Sequence, residues 1–570
     1  LFDIQYFTVV IQVVPALVRR LTITNAGSRT RQLEVLDGLP TVMPAGFQDI
    51  ALKRIRRTLG AYARVRRIGI AVPFYAPTVK VSDDAEVVRT SRGNFYAAWV
   101  ANERGLVQIE PLVDPAVVFG RDEDRITPRR FLAGSEIDRT AQIWENRYPC
   151  ALVPLNVNLG PDESVELVAM AGSAPNEDAT LRFLSRFRSL HDVKAAQCES
   201  RCLIQEITSP GFASSALPIL DAYVRQNFLD NALRGGIPVA LPTNRGTVLL
   251  PLYSRVHGDL ERDYNHFEVA AHPLSEGPGN YRDICQNRRH DVWLHPEVGD
   301  KEIRMFLSLI QADGYNPQRV IGYKWRFTGL PDELVSHCNT EQNEAREAFI
   351  RIIVRPFSPG ELLAWAAEWN VDLEDGRAWL DGILQRCERV LVANRRYGGC
   401  WSDHWTYVTD LIEAFAAIYP DRVFSMLTEQ ADVEWFDEGA YVQPRREKYV
   451  LRRGMPRQLH AVSYGAPGST TLPPTTVLGK LCALLACKIL TLDYEGKGVE
   501  MEADRPGWKD SMNGLPGIFG SSPNETAEIV RLAVWLQEWL KPPVDVDLPA
   551  EIADFIRAVV EDLEQDYYDW

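Results

Sequence analysis

The first 175 residues or so alternate between apolar and polar positions, which is the two-residue period of β-strands. Leu21 and Ile23 alternate with polar neighbours. The turn-forming residues 25–28 follow, and the alternation resumes at Leu33 and Val35, so the sequence predicts a hairpin here. Similar alternating runs lie at 95–107 and 165–171. Because no helical period intervenes, we expect antiparallel sheets packed as a sandwich.

Beyond this region the apolar residues recur at the spacing of amphipathic helices. Ser358 stands at a predicted N-cap, with Pro359 at the first helical position and Glu361 at the third. Ser522 opens a second segment of the same kind. Further helical segments are predicted near 217–234, 301–312, 378–394, 405–417, 474–491 and 548–566. The long Gly-, Pro- and aromatic-rich loops between them favour an array of α/α hairpins with the chemistry at the loop ends.

The two patterns divide the chain into parts. We predict a β-sandwich domain at 1–177, a helical linker at 178–212 and a helical domain at 213–570. The chain opens on Leu1 within a strand pattern, so the sandwich is expected to be truncated at its N-terminus.

The charge balance narrows the classes of partner. The 570 residues carry 62 Lys+Arg against 77 Asp+Glu, a net charge of −15, with 46% hydrophobic residues. Such a chain is globular and repels nucleic acid and anionic membranes, so neutral or small partners are expected. The longest apolar run, 476–492, contains Lys480 and Lys488 and is too short to span a bilayer, which indicates a core helix.

The nine cysteines form no CxxC pair and no Cys/His cluster with zinc spacing. We therefore expect buried or free thiols, no metal, and a reducing, cytoplasmic location. Cys198 and Cys202, four residues apart, leave a structural metal as the alternative. P-loop, zincin and nucleophile-elbow motifs are absent from the sequence.

Three loops concentrate polar and aromatic residues. The first runs from Ser275 through Arg282 and Asp283 to Gln286, with glycines that let the backbone approach a ligand. Arginine beside aspartate supplies a donor and an acceptor for hydroxyl groups. The structural alternative is an Arg–Asp pair that pins the loop.

The second loop, residues 398–407, places Asp403 among Trp401, Trp405 and Tyr407. Partial desolvation by these rings would raise the pKa of that carboxyl and keep a proton available for donation. Aromatic faces are also platforms on which sugar rings stack. As an alternative, Ser402 or Asp403 could simply cap the helix that follows.

The third loop, residues 506–517, sets Trp508, Asp510 and Asn513 in a glycine-rich turn that suits a polyol. Alternatively, the Asp and Asn bond to their own backbone. A basic stretch at 445–457 is either a solvated face or an anion site.

At these loops the sequence resembles the inverting glycoside phosphorylases of the cellobiose phosphorylase type. Among them it looks most like the bacterial β-1,3-glucan (laminari-oligosaccharide) phosphorylases. The resemblance covers nearly the whole chain and is carried by Tyr281-Arg282-Asp283 with Gln286, by residues 401–405, by residues 507–513 and by the strand-like residues 18–25.

This resemblance implies a β-supersandwich, a helical linker and an (α/α)₆ barrel. It also implies reversible inverting phosphorolysis of β-glucan oligosaccharides to glucose 1-phosphate. Inorganic phosphate would be the co-substrate, no cofactor would be needed, and the chain would form a homodimer.

The family's functional residues map onto this chain through the motifs. Asp403 matches the general acid, which protonates the departing glycosidic oxygen while phosphate attacks the anomeric carbon from the opposite face. Arg282 and Asp283 match residues that hold the non-reducing glucosyl unit. The other expected substrate contacts are Gln286, Trp401, His404, Trp405, Trp508, Asp510 and Asn513.

Two departures from the family pattern matter. Gln286-Asn287 replaces the usual Gln-Asp, which points away from cellobiose, and Lys509 replaces an Asn. No aromatic-Thr-Gly phosphate segment follows Asn513, so the barrel and the phosphate site are expected to be incomplete at the C-terminus.

Two other functions stay open. One is an inverting hydrolase with the same acid and with Glu276 or Asp510 as base. The other is a non-catalytic carbohydrate-binding remnant.

Overall fold

A computed structural model describes the chain except residues 12–13, 48, 81–86, 88–89, 103–104, 122–123, 135–136, 251–271, 275–278, 394–399, 402–404, 438–439, 443–448, 459–461, 465–471, 493–497, 501–520, 542 and 569–570. The backbone divides into two compact units. The sheet unit comprises residues 1–207, 338–348 and 361–374. The helical unit comprises residues 208–337, 349–360 and 375–570.

The N-terminal elements are mostly strands. In chain order they are β1 (Phe2–Ile11), β2 (Val14–Thr24), β3 (Arg31–Leu39), α1 (Asp49–Tyr62), β4 (Ala63–Ile68), β5 (Val72–Pro77), β6 (Gly93–Asn102), β7 (Gly105–Ile109), α2 (Ala116–Phe119), α3 (Arg129–Leu132), β8 (Ala151–Leu159), β9 (Ser164–Ala174), α4 (Glu177–Leu184) and α5 (Leu190–Thr208). The main sheet is antiparallel with the order β1-β2-β9-β6-β5-β4, and β7 lies beside β6. A second sheet contains β3 and β8. The predicted strand run at 165–171 is therefore confirmed, and the run at 95–107 contains two strands, β6 and β7, that pair with each other.

The central strands of the main sheet bury side chains on both faces, because successive side chains along a strand point to opposite sides. On one face, Met170 of β9 belongs to a cluster with Phe183 of α4 and Val193 of α5. On the other face, Tyr96 of β6 packs in a cluster with Val153 of β8. The helices predicted near 178–212 thus cover one side of the sheet, and the second sheet covers the other.

The predicted hairpin between residues 21–24 and 33–35 is wrong. β2 pairs with β1 and β9, whereas β3 pairs with β8 in the other layer. The side-chain amide of Asn25 donates to the carbonyls of Leu159 (2.9 Å) and Gly160 (3.0 Å), and its Oδ1 accepts from the Gly27 amide (3.1 Å). These bonds fix the chain as it crosses between layers, a path that alternation cannot distinguish from a hairpin.

The expectation of strands without intervening helices is also wrong. Helix α1 and the short α2 and α3 interrupt the strands. α1 has non-helical dihedral angles at Ile55, and Leu59 is among its few buried apolar side chains. Leu52, Ile55 and Leu59 recur at helical spacing, so the sequence contains a signal for α1 that the prediction of strands passed over.

The remaining elements form the C-terminal part. They are α6 (Pro218–Gly235), β10 (Val239–Thr243), β11 (Gly246–Leu250), β12 (Gly279–Asn280), α7 (Tyr281–Arg288), α8 (Asp291–Leu294), α9 (Lys301–Ser308), β13 (Asn316–Pro317), β14 (Arg319–Phe327), α10 (Asp332–Val335), α11 (Asn343–Ile353), α12 (Pro359–Glu368), α13 (Gly376–Leu384), β15 (Cys387–Ala393), β16 (Cys400–Trp401), α14 (Thr406–Ile418), α15 (Val423–Thr428), β17 (Ala440–Val442), β18 (Tyr449–Arg452), β19 (Met455–Gln458), β20 (Val462–Tyr464), α16 (Val477–Ile489), β21 (Val499–Glu500), β22 (Ser521–Ser522), α17 (Pro523–Trp539) and α18 (Ala550–Tyr568). The N-terminal part is thus antiparallel sheet, and the C-terminal part is predominantly helical with short strands.

Most helices predicted in this part are confirmed, namely α6, α12, α14, α16, α17 and α18. Ser522 caps α17 by accepting from the Glu525 amide, as its sequence indicates. Two bounds are wrong. The helix expected at 301–312 ends at Ser308, and the one expected at 378–394 ends at Leu384. Residues 387–393 instead form β15, whose valines and leucine favour a strand beside β14.

The helices of this unit pack around α14 and α16. α14 contacts α7, α8, α9 and α17, and α16 contacts α9, α15, α17 and α18. Within the described part of the chain, no helix combines the length and the hydropathy needed to cross a membrane.

Candidate functional site

The predicted site residues fall into two groups. Side chains are described for Arg282, Asp283, Gln286 and Trp405, and the backbone alone for Trp401. The others lie outside the described residues, namely Asp403, His404, Trp508, Asp510 and Asn513, as do Glu276 and residues 445–448 of the basic stretch.

Segment 316–320 connects the first two predicted loops. Its β13 part pairs with β16, so that Asn316 lies opposite Trp401. Its β14 part pairs with β12, so that Arg319 lies opposite Asn280. In addition, the Tyr281 amide donates to the carbonyl of Gln318 (2.8 Å). The backbones that carry Arg282-Asp283 and Trp401 are therefore held by one short stretch of chain.

Arg282 and Asp283 form a buried ion pair in the first turn of α7. Their exposed fractions are 7% and 5%. The Arg282 Nη2 atom lies 3.0 Å from Asp283 Oδ1, and Asn280 Nδ2 donates to Asp283 Oδ2 (3.1 Å). Both carboxylate oxygens thus accept hydrogen bonds within the protein, and the pair pins the loop, which is the structural alternative predicted from the sequence.

The start of α7 is anchored beneath this pair. The Tyr281 ring is fully buried and meets the Phe306 ring edge-on at 5.3 Å, and its hydroxyl donates to the Phe306 carbonyl (3.0 Å). Gln286 is half-buried and lies one helical turn beyond Arg282, on the same face of α7. Arg282 and Gln286 therefore share one face.

Trp405 directly precedes α14 and occupies its N-cap position. Ser402 and Asp403, the alternative cap residues, lie outside the described residues. The Trp405 side chain is 1% exposed, its Nε1–H meets no acceptor among the described residues, and Lys488 Nζ lies 5.9 Å from its ring centroid. Lys488 in turn pairs with Glu525 at 3.1 Å. The indole is thus enclosed between α14, α16 and α17.

The helices that follow the two loops are in contact. α7 packs on α14, and Arg289, just after α7, lies 3.8 Å from Asp410 of α14. Asp410 also pairs with Arg531 of α17 at 2.9 Å. The structure therefore brings together the described parts of the first and second predicted loops, whereas the third lies outside the described residues.

A buried charge cluster beside α7 is missing from the sequence predictions. Arg288 Nη1 lies 3.0 Å from Asp291 Oδ2, and Glu302 of α9 is close to the same aspartate. Burial, with the neighbouring Asp291 charge, raises the pKa of Glu302 well above its ordinary range, and burial raises the pKa of Asp291 too. Burial therefore favours the protonated form of both carboxyl groups. Glu302 lies one turn before the buried Phe306, which was an available sign of burial.

Neither a search for metal-binding groups nor a comparison with known proteins assigns a further role to any residue of the site. Among the described residues, no group of three His, Cys, Asp or Glu side chains could hold a metal ion. No protein-family model matches the chain, and no curated protein matches it.

Proposed function

We propose that the chain is a glycoside phosphorylase that carries out reversible, inverting phosphorolysis of β-glucan oligosaccharides and forms glucose 1-phosphate. The proposal includes a β-supersandwich built on the N-terminal sheets and an (α/α)₆ barrel built from the C-terminal helices. Asp403 is the general acid, and inorganic phosphate is the nucleophile.

The observation that supports it best is the junction at segment 316–320. The Arg-Asp motif and the Trp-Ser-Asp-His-Trp motif lie more than a hundred residues apart in sequence, yet their backbones pair with neighbouring strands of this segment. Residues that share one substrate must be held at a fixed separation. This arrangement supports a common site.

The chemistry follows from the charges at these loops. Arg282 and Asp283 are already oriented by their mutual ion pair, and a guanidinium with a carboxylate can donate to and accept from sugar hydroxyls. Protonation of the leaving oxygen needs one carboxylic acid. An inverting hydrolase needs a second carboxylate to activate water, whereas phosphate arrives as a nucleophile and makes that base unnecessary.

The first test is proton NMR of laminaribiose and cellobiose incubated with the protein, with and without inorganic phosphate. An α-glucose 1-phosphate signal that depends on phosphate is expected. Free glucose formed without phosphate would establish a hydrolase instead, and bound sugar without turnover would establish a carbohydrate-binding protein.

The acid is tested by two matched variants, Asp403→Asn and Asp510→Asn. Asp403→Asn should lower turnover by roughly 10²-fold or more, because general acid catalysis contributes on the order of 10²–10⁴ in rate. Sugar binding, followed by calorimetry, should persist. If Asp403→Asn keeps its activity while Asp510→Asn loses it, the acid role belongs to Asp510.

A further inference from the structure

The helical unit contains a polar cavity whose described lining includes none of the residues of the predicted site loops. Its volume is about 750 Å³, within the range of about 300–1,000 Å³ typical of small-molecule sites. Its walls are the β10–β11 hairpin, one face of α9, parts of β14 and β15, and residues 430–434. Most small-molecule sites are lined mainly by apolar groups, whereas charged and polar side chains dominate here.

The walls are fixed in place by hydrogen bonds to the hairpin. The Asn244 amide donates to the Cys387 carbonyl (2.9 Å), and Trp325 Nε1 donates to the Pro242 carbonyl (3.0 Å). Arg377 of α13 donates to the Ala240 carbonyl (2.7 Å). A cavity whose walls are held this way requires little ordering when a ligand binds, which favours affinity.

Arg304 of α9 fixes the opposite wall. Its guanidinium donates to Asp300 (2.7 Å), to Asp432 (2.6 Å) and to the carbonyls of Gln430 (3.1 Å) and Met426 (3.2 Å). Its donors are therefore engaged within the protein, and Arg304 serves as a support for residues 430–432.

Three other cations of the lining have no carboxylate partner within the described part of the chain. Arg245 lies in the hairpin turn and forms no ion pair. Lys301 donates only to the carbonyl of Glu297 (3.0 Å). Arg389 stacks over the Tyr323 ring at 4.8 Å and donates to its hydroxyl (3.2 Å). In a chain of net charge −15, unneutralised cations gathered at one cavity indicate an anionic ligand.

The same cavity also offers acceptors. Glu434 lines it without an ion-pair partner among the described residues, and Tyr323 contributes a hydroxyl. Burial raises the pKa of Tyr323 to about 12, so that hydroxyl stays protonated and neutral. The other described carboxylates of the lining are engaged within the protein. Asp300 and Asp432 pair with Arg304, and Glu388 pairs with Arg326. Glu302 is close to Asp291. A ligand with one anionic group and several hydroxyls could satisfy cations and acceptors together.

We propose that this cavity binds a phosphorylated sugar. Arg245, Lys301 and Arg389 would hold its phosphate, and Glu434 and Tyr323 would hold its hydroxyls. The inference stands independently of the proposed phosphorolysis, because none of these five residues belongs to the predicted catalytic loops.

The test is isothermal titration calorimetry of the whole chain with glucose 6-phosphate, inorganic phosphate and glucose. Glucose 6-phosphate should bind most tightly, with an affinity that falls as salt rises. Arg389→Gln should weaken it by about tenfold or more, since a charge-assisted hydrogen bond contributes on the order of 1.5–3 kcal/mol. Arg225→Gln, an exposed cation on α6, is the matched control and should change nothing.

Arg245→Gln is a second variant that should fold normally, because the Arg245 side chain is exposed in the hairpin turn and forms no ion pair among the described residues. It should also weaken glucose 6-phosphate by roughly tenfold, whereas Asp403→Asn and Asp510→Asn should leave the affinity unchanged. Because glucose and inorganic phosphate are also ligands of the proposed catalytic site, the comparison uses the part of the binding that Arg245→Gln and Arg389→Gln weaken. Three results would overturn the proposal: no binding of glucose 6-phosphate, unchanged binding in both arginine variants, or equal weakening of the binding of unphosphorylated glucose by these variants. Inorganic phosphate that binds as tightly as glucose 6-phosphate and is weakened equally by the two variants would overturn the assignment of a sugar.

Discussion

The two units differ in what they bury. In the sheet unit, the buried charged side chains among the described residues are Asp37, paired with Arg19, and Asp114, paired with Arg147. In the helical unit they are Arg282, Asp283, Arg288, Asp291, Glu302, Arg304, Lys480 and Lys488. Buried charge costs desolvation free energy that pairing only partly offsets. The comparison indicates that the sheet unit gains stability from apolar packing, whereas the helical unit gives up stability to hold charged groups in fixed positions.

The largest loss of stability is expected in the sheet unit, where the backbones of β3 and β8 approach each other closely at Gly38. Gly38 of β3 has φ +124°, and a Cβ built on it would lie 2.0 Å from the Ala151 carbonyl oxygen of β8. Gly38→Ala should therefore lower the free energy of unfolding by about 4 kcal/mol, from backbone strain together with overpacking. Urea denaturation followed by circular dichroism measures this.

Gly46 is the matched control for that substitution. It also has positive φ, at +87°, but a Cβ there would meet nothing within 4 Å. Gly46→Ala should cost only about 1 kcal/mol, from the backbone conformation alone. Equal costs at the two glycines would show that the approach of β3 to β8 is not what limits the sheet unit.

The second-largest loss of stability is expected on removal of a buried charge, that of Lys480, from the helical unit. Lys480 is fully buried, its Nζ donates to the carbonyls of Ile310 (2.5 Å) and Glu434 (3.1 Å), and it lies 3.9 Å from the Trp435 ring centroid. Lys480→Met should cost about 2 kcal/mol. The substitution leaves the two carbonyls without a hydrogen-bond donor, which is destabilising. Part of that cost is offset because the folded state no longer has to bury an ammonium group.

Thermal unfolding of Lys480→Met, compared with Lys541→Met at an exposed position, measures this cost. The control should shift the midpoint very little. Burial lowers the pKa of Lys480, which shows that desolvation disfavours its charged form. A Lys480→Met variant more stable than the wild type would mean that this desolvation cost exceeds the contribution of the two hydrogen bonds.

The smallest effect is a pH dependence confined to the helical unit. Because the folded-state pKa of Glu302 is raised above its ordinary value of 4.5, the folded state holds its proton more tightly than the unfolded state. The contribution of this group to stability is therefore complete below pH 4.5 and is lost as pH rises through the folded pKa. Glu302→Gln should remove this slope and raise stability near neutral pH by about 1 kcal/mol.

Unfolding midpoints of the wild type and of Glu302→Gln, measured from about pH 4 upward through neutral pH, test this. The exposed Glu429→Gln serves as the control and should follow the wild-type curve. A Glu302→Gln curve parallel to the wild type would show that Asp291, rather than Glu302, carries the proton.

The sequence predicted the helices and strands better than it predicted which of them lie side by side. The apolar periodicity around α16 and the cap at Ser522 were sufficient because a helix is determined by neighbouring residues. The connection after β2 failed because alternation records which face a residue occupies and not which strand lies beside it. The Arg-rich α1 was missed although Leu52, Ile55 and Leu59 recur at helical spacing, because the strand patterns on either side were extended across it.

For the candidate site, the sequence located the motifs but not the residues that support them. Arg282 and Asp283 stood out because a glycine-rich loop precedes them. Lys480 and Glu302 did not, since a charged residue in an amphipathic pattern ordinarily faces water. The burial of Lys480 depends on residues far away in sequence, such as Ile310 and Glu434. For Glu302, the one local sign was its position one turn before the apolar Phe306.

The paired segment 316–320 limits how this chain can change. Only Gln318 separates β13 from β14, so the ladders that position Trp401 and Asn280 share a single connecting residue. An insertion or deletion there would turn the side chains of one ladder over relative to the other. Insertions and deletions should therefore be tolerated in the loops on either side but not in segment 316–320, which sets the spacing between the two ladders.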